Sequence, residues 1–318
     1  MPREESMLVE EELVLSPPDK DMLLAIGVFD GVHLGHKYLL SQLVEKARCK
    51  GLLSSVVTFR QHPREVLAPG TVPPYLTTLE QKVDLLKNEG IDKVISLSFT
   101  PELAQLTARE FVTLLKKYVR MAGLVVGPDF ALGRGREGNV DTIRELGKEI
   151  GFSVSVVSPK LIGGEIVSST AIRNALSEGD MKKVTRLMGR PFFLQSTVVT
   201  GAGRGTGLGF PTANLEIEQR QALPPDGVYA TWAYVNGYAY QSMTNIGKRP
   251  TFGANERNIE VFLLDYSGNI YNKTLKVGIV TRLREEKRFE NVEALKKQIE
   301  EDVQRGKAIL NSHGAISE

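Results

Sequence analysis

The sequence predicts two domains, an α/β domain built on a parallel sheet and, after it, a small closed antiparallel β-barrel with a terminal helix. The chain has 318 residues, which suits two domains of about 150 residues each. In its first part, apolar runs alternate with amphipathic stretches, as is typical of a parallel sheet. After Met188, strand-like runs follow one another with turns between them, which favours a barrel. The expected domains are residues 1–186 and 187–318.

Continuous apolar runs mark the strands of the first domain, because the strands of a parallel sheet are buried on both faces. Helical periodicity marks the segments between them, and each crossover is expected to be right-handed. The predicted strands are Met22–Phe29, Ser54–Phe59, Lys93–Leu97, Gly123–Gly127 and Phe152–Val157. The predicted helices are Leu34–Lys50, Leu79–Glu89, Ala108–Val119 and Asn139–Ile150.

Turn chemistry separates the strands of the second domain. Asn236-Gly237 between two apolar runs is a strong hairpin signal, and Pro225-Asp226-Gly227 marks another turn. The amphipathic segment Asn291–Gly306 is predicted to be a final helix that covers one face of the barrel. The predicted strands are Phe193–Val199, Val228–Val235, Tyr238–Thr244, Ile259–Tyr266 and Thr274–Thr281.

Composition excludes several classes of protein. Hydrophobic residues make up 42% and charged residues 25% of the chain, which excludes disorder, collagen and coiled coil. Basic residues number 40 against 38 acidic ones, so nucleic acid and anionic membranes are not expected as partners. The lone Cys49 favours a reducing cytoplasm, and neither a signal peptide nor a membrane-spanning apolar run is seen. The sequence does not indicate an oligomeric state.

A first candidate site follows the first strand. Asp30-Gly31 turns the chain, and His33 and His36 then open a helix at the carboxyl end of the sheet, where ligands of α/β proteins bind. A helix start offers free N–H groups to a phosphate, and Gly35 lets an anion approach the backbone. Two alternatives remain open: a zinc site with His62 as third ligand, and a purely structural histidine pair.

A second candidate site is a glycine-rich segment in the second domain. Glycines recur at every second position and strip one side of an extended chain, so a ligand can approach the backbone. Thr212 and Asn214 follow it and offer the neutral oxygen ligands that suit Mg²⁺. A plain glycine-rich linker is the alternative. The glycines are Gly201, Gly203, Gly205, Gly207 and Gly209.

The segment from Gly27 to His36 resembles the nucleotidyltransferase signature of the prokaryotic bifunctional FAD synthetases, the riboflavin kinase/FMN adenylyltransferases. The resemblance implies a Rossmann-like nucleotidyltransferase sheet in which His33 and His36 act on the phosphates of ATP. It also implies ATP contacts at Gly27, Phe29, Asp30 and Gly31.

Three further stretches of the first part resemble loops of that family. Thr58–Pro63 is similar to a flavin loop, although Arg60 and Gln61 depart from its usual sequence, and Val126–Gly138 is similar to a second one. Ser168–Arg173 is similar to a motif that clamps the triphosphate, a role suited to short hydroxyls and a guanidinium. The implied flavin contacts are His62, Pro63, Asp129, Phe130 and Arg136, and the implied phosphate contacts are Ser169, Thr170 and Arg173.

The second domain resembles the riboflavin kinase part of the same family. The glycine-rich segment and the Pro211–Asn214 motif that follows it match, with departures at Thr206 and Gly207. The family's fold is a Greek-key barrel, with Pro211, Thr212, Asn214 and the glycines Gly201, Gly203, Gly205 and Gly209 at ATP and with Thr212 and Asn214 at Mg²⁺. Asn258–Tyr266 resembles the strand that carries the general base, which maps to Glu260; Phe262 stands where histidine is common.

These features predict one chain with two activities: phosphorylation of riboflavin with ATP to give FMN, and transfer of AMP from ATP to FMN to give FAD and pyrophosphate. One alternative is a single nucleotidyltransferase with a non-catalytic barrel. Another is a single-strand nucleic-acid-binding module, because small aromatic-rich barrels bind single strands.

Overall fold

The computed structural model describes residues 9–14, 18–200, 207, 209–248 and 257–314. The chain forms two compact units, one ending at Ser169 and the other beginning at Thr170. The domain boundary expected between residues 186 and 187 stays a prediction. Among the described residues, no helix has the length and apolar character needed to cross a membrane.

The first unit is built on a five-stranded parallel sheet, in the order β3-β2-β1-β4-β7. Two short antiparallel hairpins, β5–β6 and β8–β9, accompany it. The strands are β1 Met22–Ile26, β2 Leu53–Phe59, β3 Lys93–Leu97, β4 Met121–Val126, β5 Ala131–Leu132, β6 Gly138–Asn139, β7 Ser153–Val156, β8 Leu161–Ile162 and β9 Glu165–Ile166. The helices are α1 Val9–Val14, α2 Leu34–Cys49, α3 Arg64–Leu67, α4 Leu79–Asn88, α5 Pro101–Gln105, α6 Ala108–Val119 and α7 Val140–Ile150.

Apolar side chains cover both faces of this sheet, which is why its strands read as continuous apolar runs. Along β1, Met22 and Leu24 pack into one buried cluster, while Leu23 and Ala25 pack into another. The clusters lie on opposite faces because successive side chains of a strand alternate. The first strand is shorter than predicted: it ends at Ile26, because Phe29, with φ 51°, already belongs to a turn.

The second unit contains a closed six-stranded antiparallel barrel, in the order β10-β11-β14-β13-β12-β15. Because β11 pairs with β14 and β12 with β15, the order is not a simple meander, and the predicted fold class is confirmed. The strands are β10 Phe192–Val199, β11 Ala213–Leu215, β12 Gly227–Val235, β13 Tyr238–Lys248, β14 Arg257–Leu263 and β15 Thr274–Arg284. The helices are α8 Ser169–Glu178, α9 Met181–Met188 and α10 Val292–His313.

Side chains fill the barrel and cover its outer face. Trp232 and Met243 pack outward into a buried cluster with Leu310 of α10, which confirms the terminal helix. Thr231 and Ser242 alternate with them and point inward, where both are completely buried. Their hydroxyl oxygens lie 2.7 Å apart, so these two buried polar groups satisfy one another.

Candidate active sites

The turn after β1 is held in an unusual backbone conformation. Phe29, Gly31 and Val32 have φ angles of 51°, 82° and 36°, a region that non-glycine residues seldom adopt. Asp30 stabilises the turn from within, because its carboxylate accepts hydrogen bonds from the backbone N–H of Leu76 at 2.9 Å and of Thr77 at 3.1 Å. The Asp30 carboxylate is therefore a structural clamp, and it is 5% exposed.

Ser169 is attached to the same turn. Its hydroxyl donates to the carbonyl oxygen of Asp30 at 2.9 Å, although 139 residues separate the two in sequence. The structure thus brings the first hydroxyl of the Ser168–Arg173 motif to the turn that follows β1. Thr170 and Arg173 stand in the first turns of α8 and belong to the second unit, so their role at this site stays a prediction.

His33 and His36 stack at the start of α2. Their ring centroids are 3.6 Å apart and their planes differ by 15°. His33 is the N-cap of the helix, and its Nδ1 accepts a hydrogen bond from the backbone N–H of His36 at 3.2 Å. Since Nδ1 is the acceptor, a neutral His33 carries its proton on Nε2. The capping bond therefore sets the tautomer of this imidazole.

The His36 imidazole is held in its neutral form. Burial lowers the pKa of His36 well below its ordinary value, and the charges of His33 and Lys82 lower it further. The His36 Nδ1 atom is buried and has no hydrogen-bond partner among the described residues. A buried polar atom without a partner is costly, so this nitrogen is suited to a ligand.

Gly35 has no room for a side chain. A Cβ atom there would lie 2.8 Å from the carbonyl oxygen of Val167 and 3.1 Å from the His33 ring. The backbone at the start of α2 therefore packs directly against the segment before α8.

A Gly35→Ala substitution is expected to displace the His33 ring and to cost about 1–3 kcal/mol of stability, as overpacking usually does. FAD formation should fall by about 10²-fold, because misplacing a reacting group by about 1 Å has that effect. Thermal unfolding and FAD chromatography measure the two effects. Gly70→Ala is the matched control, since nothing lies near a Cβ there, and an unchanged Gly35→Ala protein would contradict the expectation.

The two predicted flavin loops lie in the same unit, with most of their polar groups engaged. His62 Nδ1 accepts a hydrogen bond from the Arg64 N–H at 3.1 Å, and Pro63 precedes α3 as its N-cap. Arg60, one of the departures from the family pattern, lies 3.6 Å from a carboxylate oxygen of Glu12 in α1. Gln61, the other departure, donates to the carbonyl oxygen of Phe99.

The second flavin loop follows β4. Phe130 packs against the core of the sheet, and Arg136, with φ 63°, donates to the carbonyl oxygen of Asp129 at 3.2 Å. Flavin binding by Asp129, Phe130 and Arg136 stays a prediction. Within the described part of the chain, no group of three His, Cys, Asp or Glu side chains is placed to hold a metal ion.

The second candidate site lies on the barrel and follows from strand register. Glu260 of β14 pairs with Asn214 of β11 on one side and with Asn245 of β13 on the other. Side chains of directly paired residues lie on the same face of a sheet, so two amides flank the carboxylate. Glu260 Oε1 also accepts a hydrogen bond from Asn258 Nδ2 at 2.6 Å.

Burial alternates along β14. Ile259 and Val261 are completely buried, whereas Glu260 and Phe262 are half-buried. Phe262 meets Phe210 edge to face with ring centroids 5.5 Å apart. Glu260 is therefore a partly covered carboxylate with fixed amide neighbours, which distinguishes it from a freely solvated surface glutamate.

The glycine-rich segment is described only in part. Gly209 has φ 86° and open space around its Cα, and Pro211 and Thr212 lead into β11. Asn214 is 6% exposed. The predicted ATP contacts Gly201, Gly203 and Gly205 and the departure Thr206 lie outside the described residues.

Three polar residues near these sites belong to no motif of the sequence. Thr77 completes the clamp on Asp30, since its hydroxyl accepts from the Gly31 N–H at 3.0 Å. Asn245 reaches Glu260 only through strand register, which no local pattern reveals. Lys82 is buried and donates to the Phe59 carbonyl oxygen at 2.8 Å. Its helical spacing from Leu79 and Leu86 places it on the apolar face of α4, and this spacing indicates from the sequence that Lys82 is buried.

Comparison with known proteins agrees with two sites in two units. The FAD synthetase family model matches residues 16–171, and the riboflavin kinase family model matches residues 188–310. These matches define an ATP-dependent transferase with two activities.

Similar proteins carry both activities in one chain. Proteins named bifunctional riboflavin kinase/FMN adenylyltransferase match from Pseudomonas fluorescens, at 38% identity over 93% of this chain and 95% of theirs, and from Bacillus subtilis, at 34% over 93% of each. This chain belongs to the bifunctional riboflavin kinase/FMN adenylyltransferase family. The predicted function is thereby confirmed: riboflavin is phosphorylated to FMN, and FMN is adenylylated to FAD.

A solved structure shares the fold over nearly the whole length. A protein from Streptococcus pneumoniae, described as a macrolide-efflux protein, superposes with a TM-score of 0.83 at 30% identity. The match covers 91% of this chain and 95% of that one. The description as an efflux protein belongs to that protein, and the superposition shows for this chain a shared fold.

Proposed function

We propose that the His33/His36 turn is the site of adenylyl transfer to FMN and that the Glu260 cluster of the barrel is the site of riboflavin phosphorylation. The observation that carries the proposal is the pairing of Glu260 with Asn214 and Asn245, which gives the barrel a carboxylate site of its own. Incubation with riboflavin and ATP·Mg, followed by chromatography for FMN and FAD, tests whether both reactions occur.

In the first reaction, an FMN phosphate oxygen attacks the α-phosphorus of ATP, and pyrophosphate leaves as the bond to the β-phosphate breaks. Charge grows on the phosphate oxygens, so fixed N–H donors stabilise the transition state. We assign this role to His33 Nε2 and to the neutral His36. The backbone of the Gly27–Gly31 segment, with Phe29 and Asp30 between the glycines, lies against the nucleotide, and Ser169, Thr170 and Arg173 hold the leaving pyrophosphate.

In the second reaction, the ribityl 5′-hydroxyl of riboflavin attacks the γ-phosphorus of ATP, and ADP leaves. A primary hydroxyl is a poor nucleophile, so a positioned base assists by taking its proton. Glu260 is assigned this role. Its hydrogen bond from Asn258 leaves the second carboxylate oxygen to accept the proton and fixes the direction in which it points.

The donor set beside Glu260 fits a hard divalent cation. Thr212 supplies a hydroxyl and Asn214 an amide oxygen, and Mg²⁺ prefers neutral or charged oxygen ligands and keeps several waters. We therefore assign Mg²⁺ to Thr212 and Asn214. When bound with ATP, Mg²⁺ neutralises charge on the transferred phosphoryl group.

The proposed domains are residues 1–186 for adenylyl transfer and 187–318 for the kinase. This boundary differs from the division into compact units, which falls at Ser169. Helix α8 and most of α9 lie between the two positions, and α9 contacts β10 and β15 of the barrel. We place the protein in the cytoplasm, which agrees with the free, exposed Cys49 and the reducing conditions there.

Truncation tests the assignment of the kinase to the second unit. Fragments 170–318 and 187–318 are both expected to convert riboflavin to FMN and to make no FAD. The shorter fragment lacks Met181 and Val184, which are buried in the intact chain, and each buried side chain contributes about 1.5–3 kcal/mol. It should therefore unfold at lower denaturant concentration. A folded 170–318 fragment without kinase activity would contradict the assignment.

A further inference from the structure

The side chain of Lys82 is buried at the carboxyl ends of the strands in the first unit's sheet. Lys82 belongs to the first turn of α4 and is 6% exposed. Its Nζ donates to the carbonyl oxygen of Phe59 at 2.8 Å. Because Phe59 is the last residue of β2, the ammonium lies at the carboxyl end of the sheet, the edge at which open α/β sheets bind their ligands.

The ammonium is also close enough to the histidine turn to affect it electrostatically. The positive charge of Lys82 lowers the pKa of His36. Burial lowers the pKa of Lys82 itself to about 8, against the raising effect of the Asp30 carboxylate. Lys82 and His36 therefore occupy the same small region of the first unit.

The hydrogen-bonding capacity of Lys82 is mostly unused. An ammonium has three N–H donors, and the Phe59 carbonyl is its one hydrogen-bond acceptor among the described residues. The negative charge that raises the pKa of Lys82, on Asp30, already accepts hydrogen bonds from the backbone of Leu76 and Thr77. Burying a cation with unsatisfied donors is costly, so a bond to one carbonyl oxygen does not by itself account for a lysine here.

We propose that Lys82 binds a phosphate oxygen of the substrates of adenylyl transfer beside His36. The inference rests on the assignment of that reaction to the His33/His36 turn. The ammonium supplies a full positive charge beside the neutral His36, and a charge in a site shielded from water stabilises developing negative charge more than one in solvent. The phosphate belongs either to ATP or to FMN, and the affected KM identifies which.

The test compares Lys82→Met, which keeps the length and removes the charge, with Lys82→Arg, which keeps the charge. Lys87→Met is the matched control, because Lys87 is exposed on the same helix. Lys82→Met is expected to lower FAD formation from FMN and ATP by about 10²-fold, the usual effect of losing one fixed donor. Riboflavin phosphorylation by the same preparation should be unchanged, and so should both activities of Lys87→Met.

The pH dependence gives a second readout. Asp30 and His36 are the titratable groups of the turn after β1 that interact electrostatically with Lys82. The pKa of His36 is lowered, so His36 stays neutral throughout the alkaline range. The kcat/KM for FAD formation should therefore fall as pH rises through about 8, as Lys82 loses its proton. In Lys82→Arg this loss should move to higher pH.

Three results would overturn the proposal. Wild-type FAD formation by Lys82→Met is the first. The second is an equal loss of both activities with a lowered melting temperature, which indicates a structural tie between α4 and β2. The third applies if Lys82→Met does not fold: the kcat/KM for FAD formation then falls at the same alkaline pH in Lys82→Arg as in the wild type. His36→Ala with normal FAD formation would instead remove the site assignment on which the inference rests.

Discussion

Replacing Glu260 by Gln is expected to lower the turnover of riboflavin phosphorylation by about 10²–10⁴-fold, the range for loss of a general base. Glutamine keeps the size of the side chain and an oxygen that can accept the hydrogen bond from Asn258, so the barrel should fold normally. The KM values should change little, because the lost interaction belongs to the transition state.

Steady-state kinetics with riboflavin and then with FMN as substrate check this expectation. FAD formation from supplied FMN should match the wild type, because its proposed site lies in the other unit. Glu300→Gln provides a matched control, as Glu300 is exposed on α10. A solvated glutamate that takes no part in the reaction would give near-normal riboflavin turnover, since most surface substitutions change stability by less than about 0.5 kcal/mol. That result would remove Glu260 from the mechanism.

A His36→Ala substitution is expected to lower FAD formation by about 10²–10³-fold, the cost of one preorganised charge-stabilising donor. The protein should still fold, since the change removes a buried Nδ1 atom that has no partner among the described residues. The N-cap hydrogen bond to His33 Nδ1 is also kept, because the backbone N–H of residue 36 donates it.

Riboflavin phosphorylation is the internal control for this variant. The same preparation, assayed for both products by chromatography, should make FMN at the wild-type rate and accumulate it. An equal fall of both activities would argue against two separate sites, and unaltered FAD formation would show that His36 takes no part.

The sequence predicted the sheet and the barrel because their signals are local. An apolar run, or the turn signal Asn236-Gly237, is recognised from residues that are close together in sequence. The observed strands lie where these local patterns predict them. The first strand was predicted three residues too long because Phe29 has a left-handed conformation in a turn whose next two residues, Asp30 and Gly31, are bonded to the distant Leu76 and Thr77. Strand β11 was not predicted, since three residues carry no periodicity.

The candidate sites divide in the same way. His33 and His36 form a local pattern at a helix start, and the structure brings their rings together. The partners that set their surroundings come from distant segments: Lys82 from α4, and Ser169 from the start of α8. Nothing in the residues adjacent to a motif encodes such contacts, because the topology of the sheet creates them.

The register of the barrel determines which changes of chain length the proposed kinase site tolerates. Glu260 stands between Asn214 and Asn245 because three strands pair in one register, and side chains alternate with a period of two residues. Deleting one residue between Arg257 and Glu260 would turn the carboxylate toward the barrel interior and place Val261 on the outer face in its position. An insertion at the tip of the β12–β13 hairpin would leave the pairing intact. Divergence of this domain is therefore expected to proceed by substitution within β11, β13 and β14, and by lengthening only at their turns.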